Sequence, residues 1–184
     1  MNAQSMLTPE NTALIIIDVQ EKLSCVMYER EILFNNIQRL IKGMQVLDIP
    51  IIITEQNPKG LGATVPEVAN LLPNLQPIPK LSFSCCGDER FLRQLEGLNC
   101  KQVLIAGIEA HVCVYQTAIG LLNLGYKVHA VVDAVSSRTV ENKKIGLKKM
   151  SSAGARLTSI ETALFELLKV AEGEKFKAIS KLVK

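Results

Sequence analysis

Apolar residues follow two spacings along this chain, and the two alternate. Residues 13–18, 51–54, 101–107 and 127–132 are near-continuous apolar runs of Ile, Val, Leu and Ala, the pattern of strands buried on both faces of a parallel sheet. Shorter runs at 76–80 and 155–158 predict two more strands. Pro77 and Pro79 put the first of these at a sheet margin, where a missing N–H costs least. Between the runs, apolar positions recur at helical spacing. Leu33, Ile37, Leu40, Ile41 and Met44 form one stripe, and Phe91, Leu92, Leu95 and Leu98 form another behind an Asp88 cap. Helices are also predicted over 112–124, closed by Gly125, over 139–153, over 159–170 with Ser159 as its cap, and over 174–183. Residues 57–62 read as a Pro/Gly loop, Pro66 and Glu67 open a short helix, and 1–9 form a loose lead-in.

Strand and helix therefore alternate from one end to the other. That order specifies an α/β, three-layer, doubly wound fold, with residues 8–184 as a single domain and no repeat or linker inside it.

Composition sharpens the picture. The chain has 184 residues, of which 48% are hydrophobic and 21% charged, enough to bury a core and too apolar for extended disorder. With no Trp, packing rests on Ile, Leu and Val. The cysteines (Cys25, Cys85, Cys86, Cys100 and Cys113) are odd in number, lack any C-x-x-C pair and follow no signal segment. They read as reduced thiols of a cytoplasmic protein rather than a zinc ribbon or disulfide framework. The net charge of +3 is uneven: residues 141–184 hold ten Lys/Arg against five acids. Lys143, Lys144, Lys148 and Lys149 straddle Ile145, Leu147 and Met150, so the solvated face of an amphipathic helix is preferred to a nucleic-acid patch, and no nucleic-acid partner is expected. No apolar stretch reaches the length of a membrane span, so no membrane partner is expected.

Three predicted strands lead into a reactive side chain at their C-terminal ends, where open parallel sheets gather their sites. LIII runs into Asp18, QPIP into Lys80, and VLIAG through a short turn into Cys113. At a helix start, unpaired amides and the helix dipole favour a thiolate at Cys113. Taken singly, such an Asp is a turn residue, such a Lys is solvated and such a Cys is inert core. Together they supply a nucleophile, a base that can return the proton to a leaving amine, and a cation that steadies both. Backbone N–H groups around 109–113 are candidates for an oxyanion site.

Other chemistries fit less well. His111 reads as a surface or packing residue of the turn and His129 as a satisfied core histidine. Two histidines give poor support to a zinc site, so no metal and no cofactor are expected. A cysteine phosphatase would need C-x5-R, where Ile119 stands, and neither G-x-G-x-x-G nor G-x-S-x-G is present.

ALIIIDVQ with Asp18 and Gln20, IPKLSFS with Lys80, GIEAHVCVYQTA with Cys113, and the stretch VVDAVSSRTVENKKIGLKKMSSAGARLTSIETALFEL occur in that order over residues 8–168. In this the chain resembles the isochorismatase-like (cysteine hydrolase) superfamily, and its TEQNPKGLGATVPEV segment is similar to the YcaC-like and isochorismatase-domain subgroup. The resemblance implies a six-stranded parallel sheet flanked by helices and an Asp18–Lys80–Cys113 triad acting on C–N bonds of small amides through a thioester. It also implies a cis peptide at Ile108–Glu109, an oxyanion hole from the amides of Glu109 and Cys113, and association into homo-oligomers. Nicotinamidases of the superfamily carry a D-x-H metal motif where this chain reads Thr54-Glu55-Gln56. Isochorismatases proper cleave a vinyl ether and lack the cysteine. Ala110 departs from the Thr usual in relatives.

By position, Gln20 and Gln56 are candidates to bond a substrate amide or orient the triad, and Leu23, Phe83 and Val112 to form an apolar wall; core packing is the alternative for each. Cys25, Cys85, Cys86 and Cys100 are structural or incidental thiols on this reading. Two alternatives stay open: a non-catalytic scaffold or thiol sensor, and a vinyl-ether or ester hydrolase using Asp18 without Cys113.

Overall fold

A computed structural model describes residues 6–184. After a 3-10 turn at Pro9–Asn11 the chain forms β1 (Thr12–Ile17), a short helix α1 (Glu21–Ser24), the long α2 (Arg30–Val46) and β2 (Ile51–Gln56). Two single-turn helices, α3 (Pro58–Leu61) and α4 (Pro66–Ala69), lead to β3 (Ile78–Lys80). A second 3-10 turn, Cys85–Gly87, precedes α5 (Glu89–Gly97) and β4 (Gln102–Ile108). The alternation continues with α6 (Cys113–Asn123), β5 (Lys127–Ser136), α7 (Val140–Ser152), β6 (Arg156–Thr158), α8 (Ile160–Leu168) and α9 (Gly173–Val183).

These six strands form one sheet, every pair parallel, in the order β3-β2-β1-β4-β5-β6. From β1 the chain winds outward to β3; from β4 it winds outward the other way to β6. The reversal lies between β1 and β4, and in such sheets it opens a crevice beyond the C-terminal strand ends. Side chains alternate across the sheet as strand geometry requires. Leu14, Ile16, Leu104 and Ala106 meet α2, α8 and α9 on one face, whereas Ala13, Ile15, Val103 and Ile105 meet α5, α6 and α7 on the other. Both faces are apolar because both are covered.

The predicted caps Asp88 and Ser159 are present, and Thr139 proves to be a third. Asp88 accepts from the Arg90 amide, Thr139 from Asn142 and Ser159 from Thr162. β3 lies at the margin its prolines predict, and its outer Pro79 carbonyl is covered by the Arg90 guanidinium.

Several local expectations are corrected. Residues 57–62 contain the helical turn α3, because Pro58 has a φ suited to a first helical position. β5 runs past residue 132 to Ser136, with a register shift against β4. Asp133, which breaks the apolar run, stays within the strand by bonding its carboxylate to the Ile160 amide at 3.0 Å. Residues 1–5 of the expected lead-in lie outside the described residues, and the segment after them is anchored rather than loose. Leu7 is fully buried, its amide bonds Glu166 at 2.6 Å, and Gln102 accepts from the Thr8 amide at 3.0 Å. His129 is buried but unsatisfied: its Nε2 has no hydrogen-bond partner among the described residues. On α7, Lys144, Lys148 and Lys149 are exposed, with Lys149 4.4 Å from the Tyr115 ring centroid, but Lys143 is half-buried, and burial holds its pKa below the usual lysine range. Among the described residues no helix is long and apolar enough to cross a membrane.

Candidate active site

Asp18 is the first residue beyond β1. Its backbone is left-handed, φ 53°, a conformation that a short polar residue tolerates better than the β-branched residues before it. The Asp18 amide donates to the Thr54 carbonyl of β2 at 3.1 Å, and its own carbonyl accepts from Gln20 at 2.8 Å. The carboxylate is wholly buried. Lys80, the last residue of β3, places its ammonium 2.7 Å from Asp18 Oδ2, both side chains being shut off from solvent. The same ammonium donates to Gln56 Oε1 at 2.8 Å and to the carbonyls of Ser82 (3.2 Å) and Phe83 (3.1 Å). It is thus held by four acceptors, and its charge is pinned beside the carboxylate. The other carboxylate oxygen, Oδ1, accepts from the Thr54 hydroxyl at 2.8 Å.

Cys113 reaches this pair from β4. Gly107 has φ 114°, and a Cβ there would collide with the backbone of Ile17, so glycine lets β4 approach the end of β1 closely. The Ile108–Glu109 peptide is cis. Several bonds tie the following turn to the end of β5 and the residues just after it. The Ala110 amide donates to the Ser136 carbonyl at 2.8 Å, His111 Nδ1 lies 3.0 Å from Ser137 Oγ, and Arg138 Nε donates to Glu109 Oε2 at 3.1 Å. The amides of Val112 and Val114 bond the Glu109 carbonyl.

Cys113 opens α6 and is 5% exposed. Burial, then the negative charge of Asp18, pushes its thiol well above the ordinary range, and the Lys80 ammonium acts the other way. Burial and Asp18 both oppose the thiolate expected at a helix start.

The isochorismatase domain family model matches residues 12–162. The chain belongs to the isochorismatase family. The secreted isochorismatase effector Isc1 of Phytophthora sojae is 36% identical over 97% of this chain and 87% of its own length. Among solved structures, the MAR1 ribonuclease from Caenorhabditis elegans matches with a TM-score of 0.91 and 39% identity, over 97% of this chain and 92% of that one. The YcaC gene product from Escherichia coli, described as an octameric hydrolase of unknown specificity, matches with a TM-score of 0.93 at 24% identity, over 99% and 91% of the two chains.

In this isochorismatase-family chain, Gln20 and Gln56 are committed to the scaffold. Gln20 accepts from the Gln56 amide at 2.7 Å and donates to the carbonyls of Gln56 (3.0 Å) and Gly62 (2.7 Å). Gln56 spends its oxygen on Lys80 and its nitrogen on the Leu81 carbonyl at 2.8 Å. Leu23 packs with the α2 face of the core, across the sheet from the cluster that holds Cys113; Val112 packs against that second cluster, and Phe83 is exposed. A cavity of about 490 Å³ beside β3, lined by Asn57, Lys59, Lys80, Asp88 and Arg90 among others, reaches Lys80 but is not lined by Cys113.

Sequence reasoning passed over two residues at this site. Thr54 ends the apolar run of β2 as Asp18 ends that of β1, and that position was the available signal. Cys85, read as a structural or incidental thiol, is fully buried with its sulfur 3.6 Å from the Thr54 hydroxyl; nothing in the sequence pattern singles it out.

Proposed function

We propose that this protein is a cysteine hydrolase that cleaves a C–N bond of a small amide. The observation that carries the reading is the buried Asp18–Lys80 pair, 2.7 Å apart, with the Cys113 thiol beside it; the amides of Glu109 and Cys113 belong to the turn that presents that thiol. In the proposed reaction Asp18 takes the thiol proton as sulfur attacks the carbonyl carbon. The oxyanion is received by the two amides. The C–N bond breaks, Asp18 hands its proton to the departing amine, and a thioester to Cys113 remains. Water then gives a proton to Asp18 and attacks the thioester; the acid leaves and sulfur recovers its proton. Lys80 stays charged throughout and keeps the carboxylate oriented. With burial and Asp18 holding the thiol's pKa up, the proposed nucleophile is generated during attack by general base rather than stored.

The test is hydrolysis of a panel of small primary and N-substituted amides by wild-type protein and by Cys113→Ala and Cys113→Ser. Turnover of any active amide falls by about a thousandfold or more in both variants. Undiminished turnover in Cys113→Ala contradicts the reading and favours Asp18-based ester or vinyl-ether hydrolysis. No turnover of any substrate, together with ordinary reactivity at Cys113, favours the scaffold.

RNA cleavage is the second reading, since the nematode neighbour is named a ribonuclease and a cavity of about 450 Å³ between α2 and α9 is lined by Arg39, Lys42, Lys181 and Lys184. Incubation with labelled RNA, with Cys113→Ala as control, separates the two. We infer in addition that copies of the chain associate, a reading in keeping with the octameric description of the bacterial YcaC and with exposed Ile145 and Leu157. A cytoplasmic location accords with five unpaired cysteines, although the oomycete relative is named as secreted; cell fractionation decides it.

A further inference from the structure

The carboxylate proposed as the base is held from behind by a second thiol. Asp18 Oδ1 accepts from the Thr54 hydroxyl at 2.8 Å, and that hydroxyl oxygen in turn accepts from the Cys85 thiol at 3.6 Å. All three side chains are buried. A hydroxyl has one hydrogen to give. With Cys85 as donor behind it, the Thr54 hydrogen is directed at Asp18, so the carboxylate receives a fixed donor on each oxygen: Thr54 on Oδ1 and Lys80 on Oδ2.

Cys85 is itself secured to the nucleophile's helix. Its amide donates at 2.9 Å to the hydroxyl of Thr117, which lies one turn after Cys113 on α6. A hydrogen-bonded path therefore runs from α6 through the Cys85–Gly87 turn and β2 to the carboxylate at the end of β1, and it closes where Asp18 faces Cys113. Direction along this path requires Cys85 to stay a neutral thiol. Burial pushes it up to about 12, so it does.

We propose that Thr54 and Cys85 are positioning residues for the cysteine chemistry: they hold the Asp18 carboxylate in the rotamer that accepts the Cys113 proton, in register with α6. Neither touches the reacting atoms. The proposal rests on the reading of Asp18 as base and Cys113 as nucleophile, and it adds a function for a cysteine that the reaction itself does not use. The charged and titratable groups around Asp18 are Lys80 on β3, Cys113 on α6 and Cys85 on the 3-10 turn.

The experiment needs no knowledge of the substrate. Alkylation of Cys113 by iodoacetamide is followed by peptide mass spectrometry from pH 5 to 9 in wild type, Thr54→Val, Thr54→Ser, Cys85→Ala and Asp18→Asn, with near-ultraviolet circular dichroism to check packing. Thr54→Val keeps the shape and removes the donor. It lowers the alkylation rate about tenfold and moves the low-pH limb of the profile upward. Thr54→Ser restores both to within about twofold, and Cys85→Ala gives a smaller shift in the same direction. A residue that merely fills space would leave the limb where it is. A wild-type rate and profile in Thr54→Val, with Asp18→Asn still impaired, overturns the positioning proposal and leaves the base intact. A wild-type profile in Asp18→Asn as well overturns both. If Thr54→Val does not fold, Thr54→Ser and Cys85→Ala carry the comparison, and an unmoved limb in Cys85→Ala counts against the proposal.

Discussion

At the scale of single residues, the largest electrostatic commitment is the Asp18–Lys80 pair, which removes two charges from water. Such a pair is tolerated because each charge compensates the other and every remaining site on the ammonium is bonded. Replacing Lys80 with Met leaves a buried carboxylate without its cation. Thermal denaturation of Lys80→Met is expected to show a loss of about 3–5 kcal/mol, partly recovered in the double variant that also carries Asp18→Asn. His129 makes a second residue-scale prediction. Burial first, then the positive charges of Arg156 and Lys127, pushes its pKa down to about 4, against the opposing charge of Glu166. The unfolded chain takes up a proton near pH 6.5 that the folded one refuses. Stability from keeping His129 neutral is thus complete above about pH 6.5 and is lost as pH falls toward 4, by up to roughly 3 kcal/mol. Urea unfolding at pH 7.5 and pH 5 measures that loss, and His129→Leu flattens it. A variant with the wild-type pH slope would show that another group is responsible.

At the scale of elements, what matters is how closely the turn before α6 is held. α7 lies against it through Gly146, where a Cβ would collide with the Ala110 carbonyl. Gly146→Ala pushes the helix and the turn apart. It is expected to cost about 1–3 kcal/mol in stability and to slow Cys113 alkylation, because the amides of Glu109 and Cys113 belong to that turn. Unchanged alkylation kinetics in a folded Gly146→Ala protein would detach the turn's position from Cys113 reactivity. The caps are an independent check on α7. Thr139→Ala removes the acceptor of the Asn142 amide and should lower stability by about 1 kcal/mol in denaturant titration without touching the site.

At the scale of the molecule, a fold read from alternating periods and a site read from strand ends have different reach. The six strands and the long helices were legible because each is a local pattern of apolar spacing, and the prolines of β3 even marked its place in the sheet. Asp18, Lys80 and Cys113 were legible as candidates because a strand end in a doubly wound sheet is a topological place as well as a residue. What escaped depends on partners distant in the chain. The Cys113 thiol is pushed up first by burial and then by Asp18, 95 positions earlier in sequence; a helix-start argument sees only neighbours and registers neither. Gln20 and Gln56 looked free to meet a substrate because their partners, Gly62 and Lys80, arrive from other elements. Asp133 looked like the end of β5, whereas its carboxylate holds the first turn of α8. Association of copies belongs to this scale too: sedimentation velocity at micromolar concentration should show a species heavier than 20.2 kDa, and a single species of that mass would remove the oligomer reading.

The most direct test of the central claim is single-turnover acid quench with an active amide, followed by peptide mapping. The acyl group is predicted on Cys113 and on no other cysteine, forming and decaying at rates consistent with turnover, and absent in Asp18→Asn. Turnover at the full rate with Cys113 unmodified at every time point would contradict it.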